Sequence, residues 1–417
     1  MGELQHPPLF NQLNGHHEWH QDNASLRTLS SPPILLLTLI AMASPLALNA
    51  FIPAMPNVAQ SLEQNISTIQ LTFTLYLLTL AIGQLICGPL SDYFGRRPVL
   101  IVGLGLHLLG SLLGATAEDI NQLISGRILQ ALGGSAGMVL VRTILLDLHG
   151  REGAANKMGY VVMAIAIAQA IAPTVGGYIN LWLDWHSIFY LSLIISTLIW
   201  VLTILLLPET GTDKTTSLGL LPILNQYREV LRSSAYLGYT LSTTFIACAF
   251  YLFVGSMPYI VVNQLGGTSA DFGNWFLTVS LAFMTGSFLS TRISARLKID
   301  NMIRVGNGLS LIGAALLLLF TLADQLHYVT LFLPMALLTF GRGMSQPNAQ
   351  LAAISCSSGT AGTASGLMGF IQLMTGAAVA QSIPFLMHTS VVLLIAFIFL
   401  APLLSWVSHQ YAINHSK

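Results

Sequence analysis

Apolar and polar positions follow a regular pattern, in which long apolar runs are separated by short polar segments. A helix that crosses a membrane needs about 20 mostly apolar residues, and the runs have this length. The short connections favour consecutive helices that pack as neighbours. The pattern predicts twelve spans, of which the fourth and the tenth are the least apolar. Their ranges are 33–54, 69–90, 98–115, 121–146, 157–179, 186–207, 235–262, 272–295, 302–322, 328–350, 363–386 and 390–409.

The composition agrees with this pattern. Of the 417 residues, 54% are hydrophobic and 8% are charged, and the mean hydropathy is +0.71. A soluble domain has about 25% charged residues. Residues 1–30 are polar and no small-residue cleavage site follows, so no cleavable signal peptide is expected. We predict an all-α integral membrane protein in the lipid bilayer.

The lysines and arginines predict the orientation of the chain. Cytoplasmic segments of membrane proteins are enriched in these residues. If both termini are cytoplasmic, thirteen of the 16 fall in cytoplasmic segments and the opposite face receives none. The other three, Arg127, Arg142 and Arg342, lie inside spans. This asymmetry predicts an inner (plasma) membrane protein with both termini in the cytoplasm.

A longer polar segment divides the spans into two sets of six. The predicted organisation is an N-terminal tail (1–32), a first half (33–207), a cytoplasmic linker (208–234), a second half (235–409) and a C-terminal tail (410–417). The halves are weakly repeated, because "GPLSDYFGRRP" closes the second span and "GSFLSTRISARLK" closes the eighth. A parallel duplication of six helices is one plan of secondary transporters, with the substrate site between the halves.

The segment "GPLSDYFGRRP" (88–98) contains a set of residues with separate physical roles. Gly88 permits close helix approach, and Gly95 suits a turn that needs a positive φ. Asp92 could cap the N-terminus of a neighbouring helix or pair with a base. Arg96 and Arg97 lie within reach of Asp147, at the end of the fourth span. The alternative interpretation is a simple positive anchor at the cytoplasmic surface.

The full spacing of this segment resembles the signature loop between helices two and three of the major facilitator superfamily. The resemblance implies a twelve-helix fold of two six-helix pseudo-repeats that works by alternating access. It also implies that the segment forms a cytoplasmic latch between the halves. The latch residues carried over in this way are Gly88, Asp92, Gly95, Arg96, Arg97 and Asp147.

Two further motifs extend the resemblance. "RILQALGG" (127–134) is similar to the fourth-helix motif of the superfamily, whose arginine lies in the central cavity and is tied to proton coupling; this implies such a role for Arg127 and its neighbour Gln130. "APTVGG" (172–177) is similar to the fifth-helix motif of antiporters, which carries over to Pro173, Gly176 and Gly177. Upstream of this motif, Gly159 fits, but Ala168 and Ala172 stand where glycine is usual.

Four other segments narrow the resemblance to the Bcr/CflA drug-resistance transporters, a group of proton-driven efflux proteins. The segments are "PLALNAFIPAMP" (45–56), "LPET" (207–210), "MSQPNAQLAA" (344–353) and "GTASGLMGFIQ" (362–372). This chain has Asn49 where that group usually has an aspartate, so the common titratable site of the first helix is missing. It also has Leu146 where a second arginine is common.

The three arginines inside spans lack an obvious counter-charge. All 16 acids fall in segments outside the membrane, and an ionisable residue at membrane depth is costly. Arg142 could snorkel or join Asp147, Arg342 could bond carbonyls near Pro347, and Arg127 could be satisfied by Gln130 and backbone. The alternative is a positive cavity whose missing partner is an anionic substrate. The predicted cavity residues are Arg127, Gln130, Asn49, Tyr76 and Tyr251.

The remaining candidate groups leave alternatives open. His107 could carry a proton or only bond a neighbour. The tail segment "GHHEWH" (15–20) could bind a metal, although disorder is favoured and no metal site is predicted. Three cysteines are too few and too scattered for a disulfide framework or a metal site.

Together these features predict a secondary transporter for proton-coupled efflux of small molecules or drugs. One alternative is export or import of an anionic polycarboxylate such as a siderophore, and another is a transport-dead membrane sensor. The sequence shows no nucleophile–base or metal-ligand set, so we do not expect an enzyme. We expect a monomer that needs no cofactor and binds no nucleic acid.

Overall fold

The computed structural model describes residues 32–211, 227–293, 298–356 and 361–415. The tail segment 15–20 and most of the linker 208–234 lie outside the described residues. The described part of the chain is built of twelve long helices without strands. They are α1 (Ile34–Ser61), α2 (Ile66–Phe94), α3 (Arg96–Ala115), α4 (Ile120–Gly150), α5 (Lys157–Trp182), α6 (His186–Leu206), α7 (Ser234–Gln264), α8 (Ser269–Ile293), α9 (Ile299–Leu322), α10 (Tyr328–Ser355), α11 (Ala361–Thr389) and α12 (Val391–His415).

Every predicted span corresponds to one of these helices. Over the described ranges, eleven helices are long and apolar enough to cross a membrane. The exception is α10, the predicted tenth span, which has 28 residues and includes Arg342, Gln346 and Asn348. It packs against α7, α8 and α9, so its polar residues face other helices more than lipid. This position inside the bundle explains why α10 tolerates a more polar sequence.

The helix ends differ from the predicted ends in two ways. Several helices extend beyond the apolar run, because polar residues cap their ends. In α2, the Asn65 side chain accepts a hydrogen bond from the backbone N–H of Thr68 at 2.8 Å and so caps the start of the helix. The second difference lies between the fourth and fifth spans, where no extended loop occurs. The chain is helical from Ile120 to Trp182 and breaks its geometry at Gly150, which has a φ of 64°.

The two halves repeat one packing pattern. In the first half α4 contacts α1, α2 and α3, and α3 contacts α6; in the second half α10 contacts α7, α8 and α9, and α9 contacts α12. The halves meet where α5 packs along α8 and α2 packs along α11. We call the end of the bundle that contains Gly95 and Gly150 the signature end, and the opposite end the far end.

At the far end the halves are closed against each other. The Thr174 hydroxyl donates to the Gly273 carbonyl at 2.8 Å, and the Ser269 hydroxyl donates to the Gly177 carbonyl at 2.9 Å, which joins α5 to α8. Apolar side chains of both halves, such as Phe51 and Phe253, belong to one buried cluster. At the signature end the halves separate around a cavity of about 780 Å³ between α2, α4 and α11. Among the described residues, the halves are therefore joined at the far end and separated by a cavity at the signature end.

Candidate functional site

A pocket of about 120 Å³ lies between the two halves. Helices α1, α2 and α5 of the first half and α7, α8 and α10 of the second half contribute to its wall. Most of the wall is apolar or aromatic, as in small-molecule sites generally. Its polar and charged lining residues are Asn49, Gln169, Tyr251, Ser280, Thr339 and Arg342.

Asn49 and Tyr251 are the two predicted cavity residues that line this pocket. The Asn49 side chain donates from Nδ2 to the carbonyl of Pro45 at 2.7 Å, one turn earlier in α1. This bond fixes the amide and leaves its oxygen as the remaining acceptor. Tyr251 lies on α7, so the two predicted residues come from opposite halves of the pocket wall.

Arg342 provides the charge of the pocket. Its Nε donates to Oε1 of Gln346 at 2.7 Å, rather than to the carbonyls near Pro347 that the sequence suggested. The guanidinium lies 4.4 Å from the ring centre of Phe250 and 5.2 Å from that of Phe283. Two aromatic faces and one amide therefore hold this cation in the pocket wall.

Arg127 lies elsewhere, in the core of the first half. Its side chain is fully buried, and Nη1 donates to Oε1 of Gln130 at 2.8 Å and to the Ala47 carbonyl at 3.3 Å. The rings of Tyr76 and Phe51 lie 4.1 and 4.8 Å from the guanidinium carbon. Nε and Nη2 have no hydrogen-bond partner among the described residues.

The neighbours of Arg127 form a buried polar network. The Gln130 side chain donates from Nε2 to the Ser111 hydroxyl at 2.9 Å, and the Gln130 carbonyl lies 2.6 Å from Nδ1 of His107. The Tyr76 hydroxyl bonds to Ser44. In this conformation Arg127, Gln130 and Tyr76 line neither the pocket between the halves nor the cavity at the signature end. The physical reason is that aromatic rings enclose the guanidinium and separate it from open space. The assignment of these residues to the substrate cavity stays a prediction.

The predicted latch residues meet at the signature end, within the first half. Arg96 pairs with Asp92 through Nη1 and with Asp147 through Nε at 3.2 Å, so the contact predicted for Asp147 is present. Gly95 has a φ of 103°, as its turn requires. Arg97 donates to the Ile204 carbonyl at 2.8 Å. Within the described residues, no atom of another helix lies within 4 Å of the Cβ position of Gly88, so they do not show the close helix approach expected there.

Glu209 contacts the predicted latch segment, although the sequence patterns did not single it out. Its carboxylate accepts from the backbone N–H groups of Arg96 at 2.9 Å and Arg97 at 3.2 Å, at the N-terminus of α3. It also accepts from the N–H groups of Thr210 and Gly211. A carboxylate at a helix N-terminus is stabilised by free N–H donors and by the helix dipole. The available signal was the segment "LPET", which ends the sixth span.

The fifth-helix motif places its glycines at two different contacts. Gly176 lies against the backbone of Ala50 in α1, inside the first half. Gly177 lies against the backbone of Ser269 in α8, across the junction between the halves. Pro173 is inside α5, and its carbonyl lies against Gly273 of α8. The motif therefore permits close backbone approach on both sides of α5.

Arg142 lines the cavity at the signature end. Its expected partner Asp147 bonds Arg96 instead, and Arg142 has no hydrogen bond or ion pair with the described residues. Leu146, one turn further along α4, lines the same cavity. The signature-end cavity therefore contains Arg142, a cation without a carboxylate partner among the described residues, as the central pocket contains Arg342.

Two similar helical halves around a central pocket define the class of a multi-pass membrane transporter. A family model of the Major Facilitator Superfamily matches residues 37–381, and the chain belongs to this superfamily. A solved structure of a D-xylose-proton symporter has the same fold, with a TM-score of 0.72 and 16% sequence identity over 89% of this chain and 96% of that one.

Curated relatives cover most of the chain. An uncharacterized MFS-type transporter of Bacillus subtilis is 31% identical over 83% of this chain and 86% of that protein. A bicyclomycin resistance protein homolog of Haemophilus influenzae is 26% identical over 82% of this chain and 86% of its own. Multidrug resistance protein D of Escherichia coli is 26% identical over 92% of this chain and 96% of that protein. The resemblance to drug-resistance transporters seen in the sequence is confirmed.

Proposed function

We propose that the protein exports small organic molecules from the cytoplasm by proton-driven alternating access. The observation that carries this proposal is the central pocket, because both halves line it and the described residues leave a cavity between the halves at the signature end. The relatives named for bicyclomycin and multidrug resistance support efflux as the direction. Rocking of the halves would open the far end and close the signature end around the pocket.

We propose that the signature end faces the cytoplasm and that both termini lie on that side. Arg96, Arg97, Arg228, Lys298 and Arg304 are all near helix ends on this side of the bundle. The positive-inside rule assigns such an end to the cytoplasm. We also propose a monomer whose halves, 33–207 and 235–409, are its moving bodies, since one chain provides the whole pocket wall.

Proton coupling needs a group other than Asn49, because an amide does not titrate. We assign coupling to the buried network of Arg127, Gln130 and His107. Two nitrogens of Arg127 and Nε2 of His107 have no partner among the described residues, so they can accept new partners during the cycle. The polycarboxylate alternative was based on Arg127, Arg142 and Arg342 together, whereas the relatives named for bicyclomycin and multidrug resistance support drugs as the substrates. Efflux of drugs is therefore the function that we retain.

The proposed function predicts proton-driven drug uptake into everted membrane vesicles. Labelled chloramphenicol or bicyclomycin should accumulate when the lumen is acidic, and a protonophore should abolish accumulation. Arg127→Gln should reduce gradient-driven accumulation by about tenfold or more, the effect of losing a charge-assisted contact worth roughly 1.5–3 kcal/mol. Downhill exchange of the drug should persist in this variant.

Asp324→Asn is the matched control for this experiment, because Asp324 is exposed at the far end. It should transport like the parent protein. If accumulation by the parent is insensitive to the protonophore, the coupling proposal is wrong. If drug accumulation by Arg127→Gln still depends fully on the proton gradient, the assignment of coupling to the Arg127 network is wrong. The proposal of proton-driven drug export would still stand.

Topology provides a separate prediction. Reporter fusions after residues 64, 118 and 324 should report the outer face, and fusions after residues 150 and 220 should report the cytoplasm. The physical reason is the positive-inside rule, because the predicted topology assigns all lysines and arginines outside the spans to one side. The reversed result at two or more sites would contradict the orientation.

A further inference from the structure

We infer that the central pocket binds the anionic group of a small aromatic substrate through Arg342. This inference rests on the proposed transport function and adds the chemical class of the substrate. It assigns the anion site to α10 in the second half, rather than to Arg127 in the first half.

The first step is the arrangement of the Arg342 guanidinium. Gln346 occupies Nε at 2.7 Å, while Nη1 and Nη2 have no partner among the described residues. Phe250 and Phe283 lie close to the guanidinium and fix its position. An arginine held in this way presents two parallel N–H donors from its end, the arrangement that binds a carboxylate in a bidentate manner.

The second step is the charge of the surroundings. No Asp or Glu is among the described residues that line the pocket. An arginine at membrane depth without a counter-charge is costly, and an arriving anion would remove that cost. The signature-end cavity contributes Arg142, which also lacks an acidic partner, while Asp92 at its edge is paired with Arg96. Each of the two cavities therefore contains an arginine without an acidic partner among the described residues, which favours an anion there.

The third step is the chemistry of the wall. Phe73, Phe250, Tyr251, Phe276 and Phe283 line the pocket, so a flat aromatic group finds apolar partners there. A small molecule that carries both an aromatic ring and a carboxylate matches this wall and the free end of the Arg342 guanidinium. Benzoate is the simplest compound with both groups.

A purely structural arginine is the competing interpretation. Arg292 gives the comparison within the same half, because it also lies against an aromatic ring, Phe288, at 5.2 Å. Arg292 is exposed and does not line the pocket. Arg292→Gln is therefore a matched control that removes an arginine–aromatic contact without removing a cation from the pocket.

The test measures binding to the purified full chain in lipid nanodiscs by titration calorimetry, without a proton gradient. The probes are benzoate, its neutral analogue benzamide and the cation benzylamine. The parent protein should bind benzoate at least about tenfold more tightly than benzamide, the difference expected for one charge-assisted contact, and benzylamine most weakly. Arg342→Gln should remove the preference for benzoate, Arg342→Lys should restore part of it, and Arg292→Gln should keep it.

Equal affinity of the parent protein for benzoate and benzamide would overturn the inference, whether or not the variants fold. An unchanged benzoate preference in Arg342→Gln would overturn the role of Arg342. Because binding is measured without a gradient, these results are independent of the vesicle experiment. The vesicle experiment can therefore contradict drug export while the binding experiment supports the anion site, or the binding experiment can contradict the anion site while drug export is supported.

Discussion

Gly177→Ala is expected to reduce transport by about tenfold or more while the protein still inserts and folds. A methyl group at this position would collide with the Ser269 backbone of α8, where the halves close at the far end. Overpacking costs about 1–3 kcal/mol, and each ~1.4 kcal/mol changes a population ratio tenfold. The cost applies only while the far end is closed, so the equilibrium should move toward the conformation that is open there.

Spin labels can measure this shift. Ser61→Cys in the first half and Gln325→Cys in the second half place labels on exposed residues of the far end. The background should have serine in place of Cys87, Cys248 and Cys356. In Gly177→Ala, the distance distribution should gain a longer component relative to the parent protein.

Gly176→Ala and Gly159→Ala separate this effect from simple loss of stability. Gly176 contacts Ala50 within the first half, so its substitution should lower the thermal midpoint without changing the distance distribution. For Gly159, the described residues place no atom of another helix within 4 Å of the Cβ position, so its substitution should change neither the thermal midpoint nor the distances. If Gly177→Ala lowers the thermal midpoint but keeps the parental distance distribution, the proposed mechanism is wrong.

The arrangement of helices could be predicted from the sequence because lipid imposes a simple constraint. Each span must satisfy its backbone hydrogen bonds internally, so its apolar length is visible in the sequence. The tenth span is one of the two least apolar spans in the sequence, since α10 contains Arg342 and Gln346 and packs against three other helices. A span is therefore harder to recognise from its sequence where it is buried against other helices instead of in lipid.

The candidate site was harder to predict, because helix periodicity does not say which buried face meets open space. Arg127 and Arg342 look alike in sequence, as single arginines inside apolar runs. Only the three-dimensional packing encloses Arg127 among Tyr76 and Phe51 and places Arg342 in the pocket wall. Glu209 was missed for a related reason: its partners are backbone N–H groups far away in the sequence, and these leave no side-chain pattern.

A second large effect is expected at the opposite end of the molecule, for Asp92→Asn. All described bonds of the Asp92–Arg96–Asp147 group lie within the first half, which agrees with a signature end that is open. Across the cavity from Asp92 are Gly362 and Thr363, in the first turn of α11. When the signature end closes, the carboxylate of Asp92 would approach the positive end of that helix.

The loss of this charge should therefore destabilise the conformation closed at the signature end. A carboxylate at a helix N-terminus contributes up to ~2 kcal/mol when partly buried, which predicts a reduction in transport of about tenfold. The folded protein should keep its thermal midpoint, because the Asp92 side chain is 46% exposed and exposed ion pairs contribute little to stability. Transport in proteoliposomes and thermal unfolding of the same preparation measure the two quantities.

Asp92→Glu should recover part of the transport activity, and Asp324→Asn should retain all of it. A loss of inserted protein in proportion to the loss of transport would instead assign Asp92 to folding, and the latch would then have to act through Glu209 and α3.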